Sequence, residues 1–171
     1  MYRILLPFLT YIAFVFESTV MQVVNPKQDW GILLIPHFSL VIIIFVASYL
    51  KPSYGIVYGL IFGLLTDLMY TDLIGIYMFS TALVAYITAV LSRFLFGNLF
   101  VTLVLTILGV AVLEFLVYGL NTLVGVANES VDLFLYNRLI STLILNGVFA
   151  ILIYYPLLKF LRKMKDSIGE N

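Results

Sequence analysis

The sequence contains no cysteine and very few charged residues. Of its 171 residues, 11% are Asp, Glu, Lys or Arg, and histidine and tryptophan each occur once. The absence of cysteine excludes disulfides, thiolate metal sites and cysteine nucleophiles. The scarcity of charge excludes a soluble globule, because so few polar side chains cannot cover the surface of a chain this long. The formal net charge is zero, so nothing in the composition indicates nucleic-acid binding.

Hydrophobic residues dominate what is present, at 63% of the chain, and the mean hydropathy is +1.14. Short polar or Pro/Gly-containing stretches divide them into six apolar segments, at residues 4–24, 36–50, 54–70, 73–91, 99–124 and 139–158. Most of these approach the roughly 20 residues that a helix needs to cross about 30 Å of hydrocarbon. The sequence therefore predicts an all-α, polytopic integral membrane protein, a six-transmembrane-helix bundle over residues 1–158 with a basic tail over residues 159–171.

The distribution of Lys and Arg predicts how the bundle is oriented. If the N-terminus is cytoplasmic, the inner segments hold seven of the basic residues and the outer segments hold two, which is a positive-inside bias. The inner set is Arg3, Lys51, Arg93, Lys159, Arg162, Lys163 and Lys165, and the outer set is Lys27 and Arg138. We expect both termini to be cytoplasmic. The basic tail is expected to be a plain stop-transfer segment, with a helix lying flat on anionic lipid as the alternative.

One apolar segment carries small residues at a regular helical spacing. Gly55, Gly59, Gly63 and Asp67 recur at every fourth residue, so they share one ridge of a helix. Glycines in this arrangement allow another helix to approach the backbone closely. The pattern predicts a helix-packing seam, filled either by another helix of the bundle or by the helix of a partner protein.

Four ionisable residues interrupt the predicted spans: Glu17, Asp67, Glu114 and Arg138. The rise per residue of an α-helix places the three acids in the outer half of the membrane, where Arg138 also enters. Because an isolated charge in hydrocarbon is costly, we expect an outward-opening polar cluster in which Arg138 neutralises one acid. His37, Asn121, Ser141 and Thr142 are expected in the same half, with His37 an interfacial residue rather than a ligand.

The sequence is compatible with more than one role for these acids. Glu17 and Glu114 are expected to contact other helices or a partner. Asp67, and Asp72 beside it, are as compatible with a hydrated place in the headgroup layer. A cation site or proton relay using Glu17 and Glu114 is the third possibility, disfavoured because no polar residue continues their line through the inner half.

The sequence offers no catalytic machinery. It contains no phosphate-binding glycine loop, nucleotide-binding fingerprint, serine elbow or zinc motif. We therefore predict a protein that is not an enzyme and that uses no cofactor or metal.

The glycine segment also carries a family resemblance. The stretches Tyr58-Gly-Leu-Ile-Phe-Gly-Leu-Leu-Thr-Asp67 and Tyr70-Thr-Asp-Leu-Ile-Gly-Ile-Tyr-Met-Phe79 resemble the central signature of the bacterial rod shape-determining MreD family. Similar features elsewhere are the Arg3-x3-Pro7 opening, Glu17, the Leu113-Glu114-Phe115 element and the basic C-terminal tail. The resemblance extends over nearly the full chain.

The resemblance implies a non-enzymatic scaffold in the bacterial plasma membrane, belonging to the machinery that inserts peptidoglycan along the side wall. It implies an MreC-like bitopic partner and, through it, the RodA glycosyltransferase, a penicillin-binding transpeptidase and MreB filaments. On this reading the glycine seam and the outer acids would contact the partner. The family is also distantly similar to substrate-binding subunits of energy-coupling factor vitamin transporters, and such a subunit is the alternative function.

Overall fold

The computed structural model describes residues 2–24, 33–71, 73–95, 98–126 and 130–169, and within these ranges all regular secondary structure is helical. The elements are α1 (Tyr2–Val24), α2 (Phe38–Tyr49), α3 (Pro52–Tyr70), α4 (Ile76–Leu91), α5 (Leu99–Leu123), the short α6 (Val131–Leu133), a π-helical turn (Phe134–Leu139) and α7 (Ile140–Gly169). The six longer helices coincide with the six predicted spans. Lys27 and Asp72 lie outside the described residues.

Four of these helical stretches are long and apolar enough to cross a membrane, namely Ile4–Val23, Pro52–Tyr70, Leu99–Leu123 and Val131–Ser167. The other two, α2 and α4, are shorter apolar helices of 12 and 16 residues. From the helical rise per residue, α2 is only about 18 Å long and does not cover a hydrocarbon core of about 30 Å. The placement of the termini in the cytoplasm stays a prediction.

The short helix α2 lies at the centre of the bundle. Residues 38–47 are all buried, and the helix packs against α1, α3, α4, α5 and α7. Its sequence is apolar on every side, which is the pattern of a helix enclosed by protein. Its side chains take part in three core clusters. Val41 and Phe45 pack with Leu6, Ala150 and Leu161. Leu40 and Ile44 pack with Val84, Val110 and Leu113, and Ile43 packs with Phe14, Phe62 and Ala85.

The glycine ridge of α3 is a packing seam inside the bundle. An added Cβ at Gly63 would lie 2.6 Å from the carbonyl oxygen of Tyr77, and one at Gly59 would lie 2.9 Å from the Cα of Ala82. Gly55 faces Ala47 in the same way. Helices α2 and α4 of this chain thus fill the seam, so the expectation that a partner helix docks there is wrong. The reason is the short connection between Tyr70 and Ile76, which returns α4 directly along α3.

The C-terminal helix continues through the predicted boundary at Leu158. Helix α7 runs without a break to Gly169, and Leu161 and Met164 are buried in the same core cluster as Leu6 of α1. This burial does not agree with the alternative in which the basic tail lies flat on the membrane. Residues 159–169 instead continue α7, which packs into the core through Leu161 and Met164.

Replacing Gly63 by Ala is expected to destabilise the bundle by about 1–3 kcal/mol, because the new methyl group would overlap the backbone of α4. The matched control is Gly119→Ala in α5, where an added Cβ meets nothing within 4 Å. The midpoint of thermal unfolding, followed by size-exclusion chromatography in detergent, should fall for the first variant only. If the two variants had equal unfolding midpoints, the close approach of α3 and α4 at Gly63 would not contribute to stability.

Candidate functional site

The three buried acids occupy equivalent positions in three different helices. Glu17, Asp67 and Glu114 lie equally far, roughly four turns, beyond the first residue of their helix, which is Tyr2, Pro52 or Leu99. Their exposed fractions are 7%, 0% and 1%, respectively. A carboxylate buried this deeply must be satisfied by hydrogen bonds or an opposite charge. Each acid finds such partners at or near the start of a following helix.

Glu17 of α1 caps the N-terminus of α2. Its Oε2 accepts a hydrogen bond from the backbone N–H of Ser39 at 3.0 Å, and the Ser39 hydroxyl donates to both carboxylate oxygens at 3.1 Å. The first N–H groups of a helix have no partner within the helix and favour a negative charge. The N-cap residue His37 makes no side-chain cap bond of its own. The carboxylate from α1 therefore serves that purpose.

Asp67 of α3 performs the same function for α4. Its two oxygens accept backbone N–H bonds from Gly75, Tyr77 and Met78, each at 2.9 Å. The N-cap residue Gly75, at φ +113°, has no side chain that could cap the helix. Because Asp67 is completely buried, the alternative of a hydrated carboxylate in the headgroup layer is wrong. It is also inaccessible to a partner.

The carboxylate of Glu114 in α5 contacts both Arg138 and His37. Its Oε2 accepts from the Nε of Arg138 at 2.7 Å, and its Oε1 lies 2.6 Å from the Nε2 of His37. The expected neutralisation of one acid by Arg138 is confirmed, and the acid is Glu114. The side chain of His37 is buried against Glu114, a contact that the sequence did not predict.

The π-helical turn brings Arg138 to this position. Phe134, the first residue of the turn, is fully buried and stacks on Tyr118 of α5, with ring centroids 4.4 Å apart. Phe115 of α5 meets the same ring edge-on at 5.5 Å. The guanidinium carbon of Arg138 lies 5.9 Å from the Phe134 ring centroid. Aromatic packing thus fixes the turn against the helix that carries Glu114.

The polar cluster continues along the non-helical residues 33–37, which precede α2. The backbone N–H of His37 donates to Asn146 Oδ1 at 2.8 Å, and Asn146 Nδ2 donates to the carbonyl of Ile35 at 3.0 Å. Leu33 N–H donates to the carbonyl of Asn137 at 2.7 Å, and Ile35 N–H donates to the Thr142 hydroxyl at 3.3 Å. The π-helical turn and α7 thereby supply hydrogen bonds that these residues would have made within a helix.

Asn146 is the member of the cluster that sequence reasoning missed. It is 1% exposed and is the one carboxamide within the apolar part of the last predicted span, residues 139–158. A single carboxamide in this apolar span indicates a polar contact with another part of the bundle, since buried carboxamides in membrane helices require hydrogen-bond partners. Of the other expected neighbours, Thr142 joins the cluster, whereas Asn121 donates to the Val117 carbonyl of its own helix.

A cavity of about 200 Å³ lies among these groups. Its lining includes the ionisable residues Glu17 and Arg138. The complete lining is Glu17, Ser18, Met21, Leu33, Ile35, Pro36, His37, Thr66, Tyr70, Thr71, Tyr77 and Arg138. Asp67 and Glu114 do not line it. Across the described parts of the chain, no three His, Cys, Asp or Glu residues come together as a metal site would require.

Replacing Asp67 by Asn is expected to destabilise the fold by more than replacing Glu17 by Gln. Both oxygens of Asp67 accept backbone N–H groups, so one amide N of Asn would face a donor. Gln at position 17 retains one oxygen for the Ser39 N–H. The loss for Asp67→Asn should reach about 1.5–3 kcal/mol, measured by thermal unfolding in detergent. A larger loss for Glu17→Gln would contradict the assignment of Asp67 as the stronger cap.

The Glu114–Arg138 pair should show strong coupling in a double-mutant cycle. Either single change to Ala leaves an uncompensated buried charge and should cost about 3–5 kcal/mol. The double variant removes both charges, so its loss of unfolding free energy should be clearly smaller than the sum of the two. Additive losses would indicate that the two side chains act independently.

Comparisons with known proteins agree with one another. A sequence model of the family described as "rod shape-determining protein MreD" matches residues 2–164. The chain is 32% identical over 172 aligned positions to "Rod shape-determining protein MreD" of Bacillus subtilis (strain 168), and the alignment covers 100% of both chains. No solved structure gives a significant match. With its apolar helices and its match along almost the entire sequence, the chain belongs to the MreD family of rod shape-determining membrane proteins.

Proposed function

We propose that this protein is a non-enzymatic scaffold in the bacterial plasma membrane that supports cell shape by binding an MreC-like bitopic membrane protein. The observation that carries the proposal is the family match over residues 2–164, joined by full-length similarity to a curated rod shape-determining protein. RodA, a penicillin-binding transpeptidase and MreB would be reached indirectly, through the MreC-like partner. Both termini would face the cytoplasm, as the distribution of basic residues predicts.

The buried polar cluster supports a scaffold more than a catalyst. Glu17 and Asp67 use their hydrogen bonds on the first turns of α2 and α4, and Glu114 is shared between His37 and Arg138. Side chains engaged in this way hold helices in fixed relative positions. A rigid bundle is what a docking platform needs, because a partner then loses less free energy in ordering the surface that it binds.

The cavity is the contact we propose for the partner. Since α4 fills the glycine seam and Asp67 is fully buried, neither is open to another protein. Glu17 and Arg138 remain as ionisable residues that line a space of about 200 Å³. A polar segment of the partner next to its transmembrane helix could place its donors on Glu17 and its acceptors on Arg138.

The same cavity favours one alternative, a substrate-binding subunit of the energy-coupling factor type. Such a protein would keep a small molecule in the cavity and would associate with an ATPase-linked complex. Native mass spectrometry of the purified chain separates the two functions. A tightly bound small molecule would favour the transporter, whereas co-purifying wall-synthesis proteins would favour the scaffold.

Filling the cavity should remove partner binding while the bundle stays folded. Ser18 lines the cavity, so Ser18→Phe should prevent the MreC-like protein from co-purifying and should cause loss of elongated cell shape in a depletion strain. The adjacent Thr19, which is exposed and does not line the cavity, offers Thr19→Phe as the matched control. Detergent extracts of both strains would be compared by affinity purification and proteomics.

Two results of this comparison would count against the proposal. If Ser18→Phe retains the partner and normal shape, the cavity is not the contact. If the wild-type chain brings down no wall-synthesis protein from a mild extract, the scaffold function itself fails. Unfolding midpoints of both variants distinguish a loss of contact from a loss of fold.

A further inference from the structure

One exposed face of α7 changes from apolar to cationic along its length. Its apolar part has side chains that are at least half exposed and lie three or four residues apart, so that they project from one side of the helix. These are Ile144, Val148, Ile151, Leu152 and Tyr155. The same side continues with the exposed residues Lys159, Arg162 and Lys163. The face therefore joins an apolar strip to a cluster of three positive charges.

The dimensions of this face match one leaflet of a bilayer. The stretch from Val148 to Lys159 covers about 16 Å along the helix, roughly half of the thickness of a hydrocarbon core. Tyr155 lies one turn before the first cation, at the level where tyrosines commonly meet the interface. An acyl chain lying on the apolar strip would thus end at the height of the cations.

The cationic part forms a notch rather than a flat surface. Tyr155, Leu158, Lys159, Arg162, Lys163 and Asp166 line a cavity of about 250 Å³. Three cations and one carboxylate leave a formal charge of +2 at this notch. Within the described residues the three cations form no ion pair, so their charges are available to an anion.

Packing on the other side of α7 fixes the direction of this face. Leu157, Leu161 and Met164 are buried in the core with Leu6 of α1. The helix therefore cannot rotate to move its cations away from the membrane. Because the helix that carries the cations is already ordered, binding an anion here costs less backbone ordering than it would in a flexible basic tail.

We propose that this face of α7 is a binding site for an anionic phospholipid, with the phosphate in the notch and an acyl chain along the apolar strip. Arg162 can form paired hydrogen bonds with phosphate oxygens, and the two lysines supply positive charge beside it. A zwitterionic headgroup would not compensate the +2 charge. A free phosphate would leave the apolar strip unused, so the structure favours the lipid.

The test uses the full chain and native mass spectrometry with phosphatidylglycerol and phosphatidylcholine of identical acyl chains. We expect the wild-type protein to prefer phosphatidylglycerol by about tenfold, a preference that Lys159→Gln/Arg162→Gln/Lys163→Gln together should reduce to less than about twofold. The matched control is Lys51→Gln/Arg93→Gln/Lys165→Gln, which removes the same charge from positions outside this notch. It should retain the wild-type preference.

Three outcomes would overturn the proposal. The first is an equal affinity of the wild-type chain for the two lipids. The second is an equal loss of preference in the two triple variants, which would reflect overall charge instead of a site. The third is displacement of phosphatidylglycerol by inorganic phosphate at the same concentration, which would show that the acyl chain contributes nothing. Unfolding midpoints close to wild type establish that both triple variants are folded, as their exposed positions predict.

Discussion

The backbone just before α2 has no helical partners for its hydrogen bonds, and the architecture depends on the side chains that supply them. Helix α2 is shorter than a membrane span, and residues 33–37 before it are non-helical. Unpaired backbone groups inside a membrane each cost several kcal/mol, and such segments persist only where protein satisfies them. Asn146 and Thr142 of α7 do so for the segment, and Glu17 does so for the first turn of α2.

The same arrangement, a buried acid that bonds to the start of another helical element, occurs three times along the described chain. In α1, α3 and α5, an acid at the same position along the helix reaches across to the start of a following element. Glu17 and Asp67 contact backbone N–H groups directly, whereas Glu114 uses Arg138 and His37 as intermediaries. Glu17 and Asp67 thus each tie together the two helices of one hairpin, α1–α2 or α3–α4, and Glu114 ties α5 to the turn before α7 and to the residue before α2. The charges of the bundle are structural connections, which explains how so apolar a chain can tolerate three buried acids.

The positions of the helices could be predicted from sequence, because apolar runs and their polar interruptions are local properties. The pairing of Arg138 with one of the buried acids followed from depth alone, since the helical rise per residue places these groups in one half of the membrane, but depth did not identify Glu114 as that acid. The functions of Asp67, His37 and Asn146 could not be obtained in this way. They depend on backbone groups distant along the chain, and neither the break before α2 nor the turn at Gly75 is encoded in a hydropathy pattern. The helix that packs on the glycine seam could not be predicted either. The spacing of the glycines shows that another helix can approach closely, but it does not show which helix does so.

The hydrogen bonds of residues 33–37 also determine when the bundle can be completed during synthesis. His37 and the side chain that holds its N–H, Asn146, are 109 residues apart in sequence. During synthesis from the N-terminus, α2 therefore enters the membrane long before the helix that completes its environment exists. Until α7 arrives, the break ahead of α2 has no carboxamide to bond with and the central helix lacks one of its walls. Helix α7 is thus the element that completes the packing around α2.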